Sequence, residues 1–341
     1  MKGIIRMARR AIGFIVCFLL AFGGSGLAEV QRESESLGVA VEYTNHAAGA
    51  YIARSRGYFK KAGLNLSVYE SYETGTALAA ALIRGDIQVA FICLVPAINA
   101  IANAGVPLKI VAGTHKYGYG LVVNPDKIRT VADLENKGIQ LGCVREGSSV
   151  DLILNRMIDR FGMNRRAVFR NLRRMNPQKQ LLSARTGRLD AVFVPEHWAS
   201  LAEAFGFKML MTTQEIWPGF QGSVMVVKSD LITNRPQTVR KLVAVLREAT
   251  NWAHANPVEA SKILAGDLLQ VGNSVTAGHM IGAHAMLSMS VDIMARSMDR
   301  LEYTTDIDPD GVQETIDYMV SQNYIKKRLK AESILDLRFN Q

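Results

Sequence analysis

Twice along this chain a short apolar run, a polar loop and a stretch with apolar side chains every three or four residues follow one another in that order. The clearest copy is IQLGCVREGSSVDLILNRMIDRFGM, residues 139–163. Ile139–Val144 reads as a short buried strand. Val150, Ile153, Leu154, Met157, Ile158 and Phe161 then fall on one helical face. Ser148 or Ser149 is the natural N-cap, and Asp151 and Asp159 lie outside the apolar stripe. Such a loop leaves unpaired N–H groups at the positive end of a helix dipole, ready for a carboxylate, sulfonate or phosphate. The same residues would equally cap an ordinary helix.

The rest of the chain repeats this rhythm. Leu37–Tyr43 alternates as a strand, Thr44–Ala47 is a loop, and a helix with apolar Tyr51, Ile52, Tyr58 and Phe59 ends at Gly63. Leu64–Tyr69 is a strand, and the loop Tyr72–Thr76 leads into the helix Ala77–Arg84. The strand Ile87–Ile92, the helix Pro96–Ala104 and the strand Leu108–Ala112 follow. Then the pattern restarts: the strand Tyr117–Val123, a short helix at Thr130–Leu134, the 139–163 stretch, a run at Phe169–Leu172, the helix Pro177–Thr186 and the strand Leu189–Val194. Strands alternating with helices imply parallel α/β sheets, here in two similar lobes whose strand ends face a shared crevice. Gly222–Lys228 carries the chain back to the first lobe, and Asn234–Ala255 is a long amphipathic helix with Pro236 in its first turn. The remainder reads as helical: Glu259–Leu264, a segment around Met280–Met298, and Gly311–Tyr324. The stripe Met286, Met289, Met294 and Met298 fits core filler better than a soft-metal site.

The 341 residues are enough for about two domains with sizeable cores. The first residues follow a secretory pattern: Lys2, Arg6, Arg9 and Arg10, the apolar run Ala11–Phe22, then small residues in Gly26-Leu27-Ala28. Cleavage after Ala28 would remove those four basic residues and lower the net charge from +9 to +5. Cys17 lacks a small residue before it and lies inside the apolar run, which argues against lipidation. Of the three cysteines, Cys93 and Cys143 lie at the ends of apolar runs and are expected as free, buried thiols. Local basic clusters such as Arg165-Arg166 lack interleaved aromatics, so no nucleic-acid partner is indicated. HExxH, GxSxG and a glycine-rich nucleotide loop with lysine are absent, and the six histidines show no metal-ligand spacing. No enzyme, cofactor or metal is expected.

The order of SRGYFKKAGLNLSVYES, ALAAALIRGDIQVAF, GVPLKIVAG, TVADLENKGIQLG, LLSARTGRLDAVFVPE and GVQETIDYMVSQNYI resembles the periplasmic solute-binding proteins of ABC importers. The branch is the nitrate/sulfonate/taurine type, also called SsuA/THI5-like, and the similarity runs from about Leu37 to about Phe339. It implies a type II periplasmic-binding-protein fold, with residues 37–118 and 223–341 as one lobe and 119–222 as the other, joined by two crossover strands. It also implies a monomer that closes on a small ligand and delivers it to a membrane permease driven by a separate ATPase. Residue by residue, it places Asn45, His46, Ala47, Thr74, Gly75, Thr76, Cys93 and Leu94 at the ligand from one lobe. Arg145, Gly147, Ser148, Ser149, Glu196 and His197 would face it from the other, with Tyr117 and Tyr119 near one crossover and Trp217 and Gln221 near the second. Pro195-Glu196-His197 departs from the aromatic with Glu-Pro often found there, so the family does not fix the ligand.

Arg145 offers a fork for an oxyanion and Glu196 a partner for an amine, which suits a sulfonate or taurine-like zwitterion. Tyr117, Tyr119 and Trp217 offer walls for a ring compound such as a thiamin-precursor pyrimidine or riboflavin. Each has a plainer reading: Arg145 as an exposed loop charge, Glu196 as a helix cap, Trp217 as core and His46 as a loop residue. A ligand sensor for a membrane receptor is a third possibility for the same fold.

Overall fold

The computed structural model describes residues 36–85, 87–275, 287 and 289–341. The secretory segment, most of the methionine-rich segment, His279 and His284 lie outside the described residues.

The strands fall in three groups along the chain. β1 (Leu37–Glu42), β2 (Leu66–Tyr72), β3 (Val89–Cys93) and β4 (Leu108–Tyr117) belong to a first sheet. β5 (Tyr119–Val123), β6 (Leu141–Cys143), β7 (Leu172–Arg174), β8 (Ala191–Pro195) and β9 (Lys208–Thr212) form a second. β10 (Gln221–Lys228) and β11 (Leu301–Glu302) return to the first. The first sheet has the order β11-β4-β10-β3-β1-β2 and the second β7-β6-β8-β5-β9.

The sheets are mixed rather than wholly parallel. β2, β1 and β3 run parallel, and β10 lies antiparallel between β3 and β4. In the second sheet β7, β6 and β8 run parallel, and β5 lies antiparallel between β8 and β9. Each sheet thus takes one strand directly from a crossover: β5 joins the second and β10 the first.

Both faces of the first sheet are covered, which is why its strands read as near-continuous apolar runs. Alternate side chains divide between two cores. Val39, Val41, Phe91 and Met225 pack with Tyr51, Ile52, Leu242 and Leu246. Ala40, Ala90, Ile92 and Val224 pack with Leu78, Leu82 and Ile98 on the opposite face. The helices involved are Ala48–Ser55, Pro236–Ala255, Gly75–Arg84 and Leu94–Ala102. Among the described residues no helix is long and apolar enough to cross a membrane.

Several expected boundaries move. β4 runs on to Tyr117 instead of stopping at Ala112, so the strand expected at Tyr117–Val123 is broken at its first residues. Tyr117 and Gly118 have φ of 65° and 89°, and the chain leaves one sheet for the other there. Phe169 belongs to the helix Arg165–Asn171, and β7 starts only at Leu172. Helix Ser149–Arg160 is capped by Ser148, whose hydroxyl accepts from the Asp151 amide at 3.2 Å. Two residues of this segment, one in the helix and one at its C-cap, differ from the periodic reading. Phe161 is 41% exposed, whereas Asp151 is fully buried because Arg174 covers it in a 2.6 Å ion pair.

Both crossovers run past His115. A Cβ on Gly118 would stand 2.7 Å from His115 Cε1, and one on Gly222 would stand 2.1 Å from the same atom and 2.6 Å from the Tyr117 carbonyl oxygen. Neither position has room for a side chain. Gly222→Ala is expected to cost about 1–3 kcal/mol by overpacking, read as a lower urea midpoint with unchanged m-value.

Candidate functional site

A cavity of about 40 Å³ lies between the C-terminal ends of the strands of the two sheets. On the first-sheet side it is walled by Glu42 at the end of β1, Thr44, Cys93 at the end of β3, Pro96, and the loop Glu73–Thr76. The other wall is Tyr119 at the start of β5, Val144, Ser148, Ser149, Val150, Pro177 and Pro195. Among the described residues no lysine or arginine lines it.

Five helices begin here: Gly75–Arg84, Leu94–Ala102, Ser149–Arg160, Pro177–Arg185 and Glu196–Glu203. Their dipoles place partial positive charge around the cavity. On the first-sheet side an internal acid already answers it. Glu42 is 3% exposed, and its Oε2 accepts from the Cys93 amide at 2.8 Å. The Gly75 amide also donates to it. Burial outweighs these bonds and pushes the carboxyl up to about 7. On the second-sheet side the helix start remains available. Ser149 Oγ is buried beside the Tyr119 hydroxyl and makes no full hydrogen bond.

A polar cluster lies next to the cavity. The Tyr119 hydroxyl donates to Cys93 Sγ at 2.9 Å, Ser223 Oγ lies 3.5 Å from the same sulfur, and His46 Nδ1 lies 3.8 Å from it. His46 Nε2–H donates to the Gly118 carbonyl at 2.6 Å. The His115 ring centroid lies 4.2 Å from that of His46, with its nitrogens on the Lys116 carbonyl and the Ser223 hydroxyl. Burial lowers His46 to about 4 and His115 well below its ordinary value, so both rings are neutral. It also pushes the Cys93 thiol well up, which keeps the sulfur protonated and a poor nucleophile. Cys93 and Cys143 are free and buried.

Of the residues singled out from sequence, the fold brings Thr74, Gly75, Thr76, Cys93, Tyr119, Ser148 and Ser149 to the cavity wall. Others stand elsewhere. Arg145 is exposed, and its charge is felt by Glu73 at the cavity mouth. Gly147 offers its carbonyl to Asn99 Nδ2 at 3.3 Å. Glu196 does not face the cavity: it is held by Arg300 at 3.1 Å and Ser200 at 3.0 Å, and Arg300 also binds Glu203. His197 Nδ1 meets Asn45 Oδ1 at 3.2 Å, and Asn45 Nδ2 donates to Ser297. Gln221 braces β10 through the His115 and Ser223 carbonyls. Trp217 is core, tilted against Phe220 and edge-on to Tyr318, with the Arg156 guanidinium over its ring. Tyr117 is half-buried away from the cavity wall. The sequence reading missed Glu42 and Glu73, although an acid closing the apolar run LGVAVE was a visible sign.

The profile of the NMT1-like family matches residues 30–266. The chain belongs to the NMT1-like family. A Brucella abortus protein whose name goes no further than binding protein is 25% identical over 218 residues, 63% of this chain and 65% of that relative, so less than two thirds of its length is matched. The alkanesulfonate-binding protein SsuA of Xanthomonas axonopodis pv. citri, solved bound to MOPS, superposes with a TM-score of 0.72 at 18% identity, covering 89% of this chain and 98% of that one. The periplasmic nitrate-binding protein NrtA of Synechocystis PCC 6803 gives 0.71 at 14% identity, covering 89% and 86%. This NMT1-like protein therefore has the type II periplasmic-binding-protein fold, two α/β lobes with a cleft between them.

Burial outweighs the arginine at Glu196 and raises its carboxyl from 4.5 to about 7. The folded state therefore holds a proton there that the unfolded state has lost, and the group's contribution to stability falls as pH rises through that window. The unfolding free energy of Glu196→Gln minus that of the parent is expected to grow between pH 4.5 and about 7. Urea titrations across that range check this; parallel pH profiles would mean that Glu196 titrates alike in both states.

Proposed function

We propose that this protein is the extracytoplasmic ligand-binding component of an ABC importer and captures a small zwitterion with separated amine and oxyanion ends. One observation carries the reading: the cleft pairs the helix start at Ser149, whose buried hydroxyl lies beside that of Tyr119, with acidic side chains on the facing lobe. The first-lobe helix starts at Gly75 and Leu94 are already answered by Glu42, so the oxyanion belongs at Ser148–Val150. Glu73, half-buried at the mouth, takes the amine. The sulfonate- and nitrate-binding functions of the two structural neighbours support an oxyanion site in this cleft.

The cavity, about 40 Å³, is far below the several hundred Å³ of a pocket for a drug-sized molecule. That favours a ligand of few heavy atoms over a flavin, and entry requires the lobes, 37–118 with 223–341 against 119–222, to part at Gly118 and Gly222. Residues 1–28 serve as the export signal in this reading, and a membrane permease with its separate ATPase receives the ligand.

Isothermal titration of the chain from Glu29 onward with taurine, ethanesulfonate, ethanolamine and riboflavin tests the assignment. Taurine is expected to bind at least tenfold tighter than either half-molecule. Ser149→Ala should weaken it about tenfold, the worth of one hydrogen bond to a charged group. Ethanesulfonate binding as tightly as taurine would remove the amine role of Glu73, and preference for riboflavin would overturn the zwitterion reading.

A further inference from the structure

We propose that Glu42, His46 and Cys93 form a zinc-class metal site at the floor of the cleft, with one coordination position open to the cavity. Their ligating atoms lie within 4.8 Å of one another, and all three side chains are buried. Cys93 Sγ and His46 Nδ1 are 3.8 Å apart. Zinc–sulfur and zinc–nitrogen bonds of usual length at a tetrahedral angle need a separation of about 3.5 Å. Small side-chain shifts would therefore complete the shell.

The surroundings are those of a prepared site. The bond from His46 Nε2–H to the Gly118 carbonyl fixes the tautomer, leaving the Nδ1 lone pair turned toward the sulfur. The Tyr119 hydroxyl is directed at Sγ and would stabilise a thiolate there. Glu42 is held at one oxygen by the Cys93 amide, which sets the direction of the carboxylate. Both nitrogens of His115 are engaged with Lys116 and Ser223, which leaves it outside the ligand set.

One thiolate, one carboxylate and a neutral imidazole make a borderline donor set, suited to zinc over magnesium or calcium, and their two negative charges balance a divalent cation. As the metal binds, the thiol proton, and the carboxyl proton where Glu42 holds one, leave to solvent. Glu42, Cys93 and Tyr119 also line the cavity, so the fourth position faces it and can take water or an oxygen of a bound molecule. This site stands without the importer reading.

The chelator-treated, reduced full chain titrated with cobalt(II) provides the test. A thiolate-to-cobalt charge-transfer band saturating at one equivalent is expected, together with a zinc-induced rise in melting temperature. Cys93→Ser should abolish the band, His46→Gln should weaken zinc binding at least tenfold, and Cys143→Ser should change neither. Absence of the band in the parent protein, which needs no variant to fold, would overturn the site. So would a band that survives in Cys93→Ser.

Discussion

The packing of His115 against two glycines constrains both passages of the chain between the lobes. The imidazole lies against Gly118 and Gly222 at distances no side chain could share, and its nitrogens are tied to the Lys116 carbonyl and Ser223. Each crossover is thereby registered against the same ring. The positions of Tyr119 at the cleft and of Ser223 beside Cys93 follow from that registration. His46 packs against the same ring and donates from Nε2–H to the Gly118 carbonyl of the first crossover.

Around these crossovers the cleft is electrostatically uneven. Helix starts approach it from both lobes, and the buried acid that lines the cavity itself, Glu42, belongs to the first. The asymmetry comes from one residue at the end of β1. In the second lobe Asp151 accepts from the Gly147 amide and pairs with Arg174, Glu196 pairs with Arg300, and neither acid is on the cavity wall.

Much of the architecture was legible in the sequence because period and punctuation agree. The Ser148 cap, the apolar stripe of Val150 to Ile158 and the return strand at Gly222–Lys228 all follow local rules. The break at Tyr117-Gly118 was not legible, since β4 runs on through the polar Thr114-His115-Lys116 stretch, which reads as a loop, and only the left-handed backbone marks the change of sheet. Glu196 and Arg145 illustrate the limit for the site. Both have suitable chemistry near the ends of strands, but Arg300, more than a hundred positions later, turns Glu196 away, while Arg145 remains in solvent. The approach of Glu42, His46 and Cys93 likewise depends on the pairing of β1 with β3, which no local spacing encodes.

The two sheets share one plan, a parallel trio completed by an antiparallel strand that arrives from a crossover. For the second sheet that strand, β5, precedes its neighbours in synthesis. For the first it is β10, which separates β3 from β4 and exists only after the whole second lobe has been made. Contacts of such long sequence separation form late because loop closure must precede them. The lobe that begins the chain is therefore the one that finishes folding last, and until then β3 and β4 present unpaired edges to whatever holds the nascent chain.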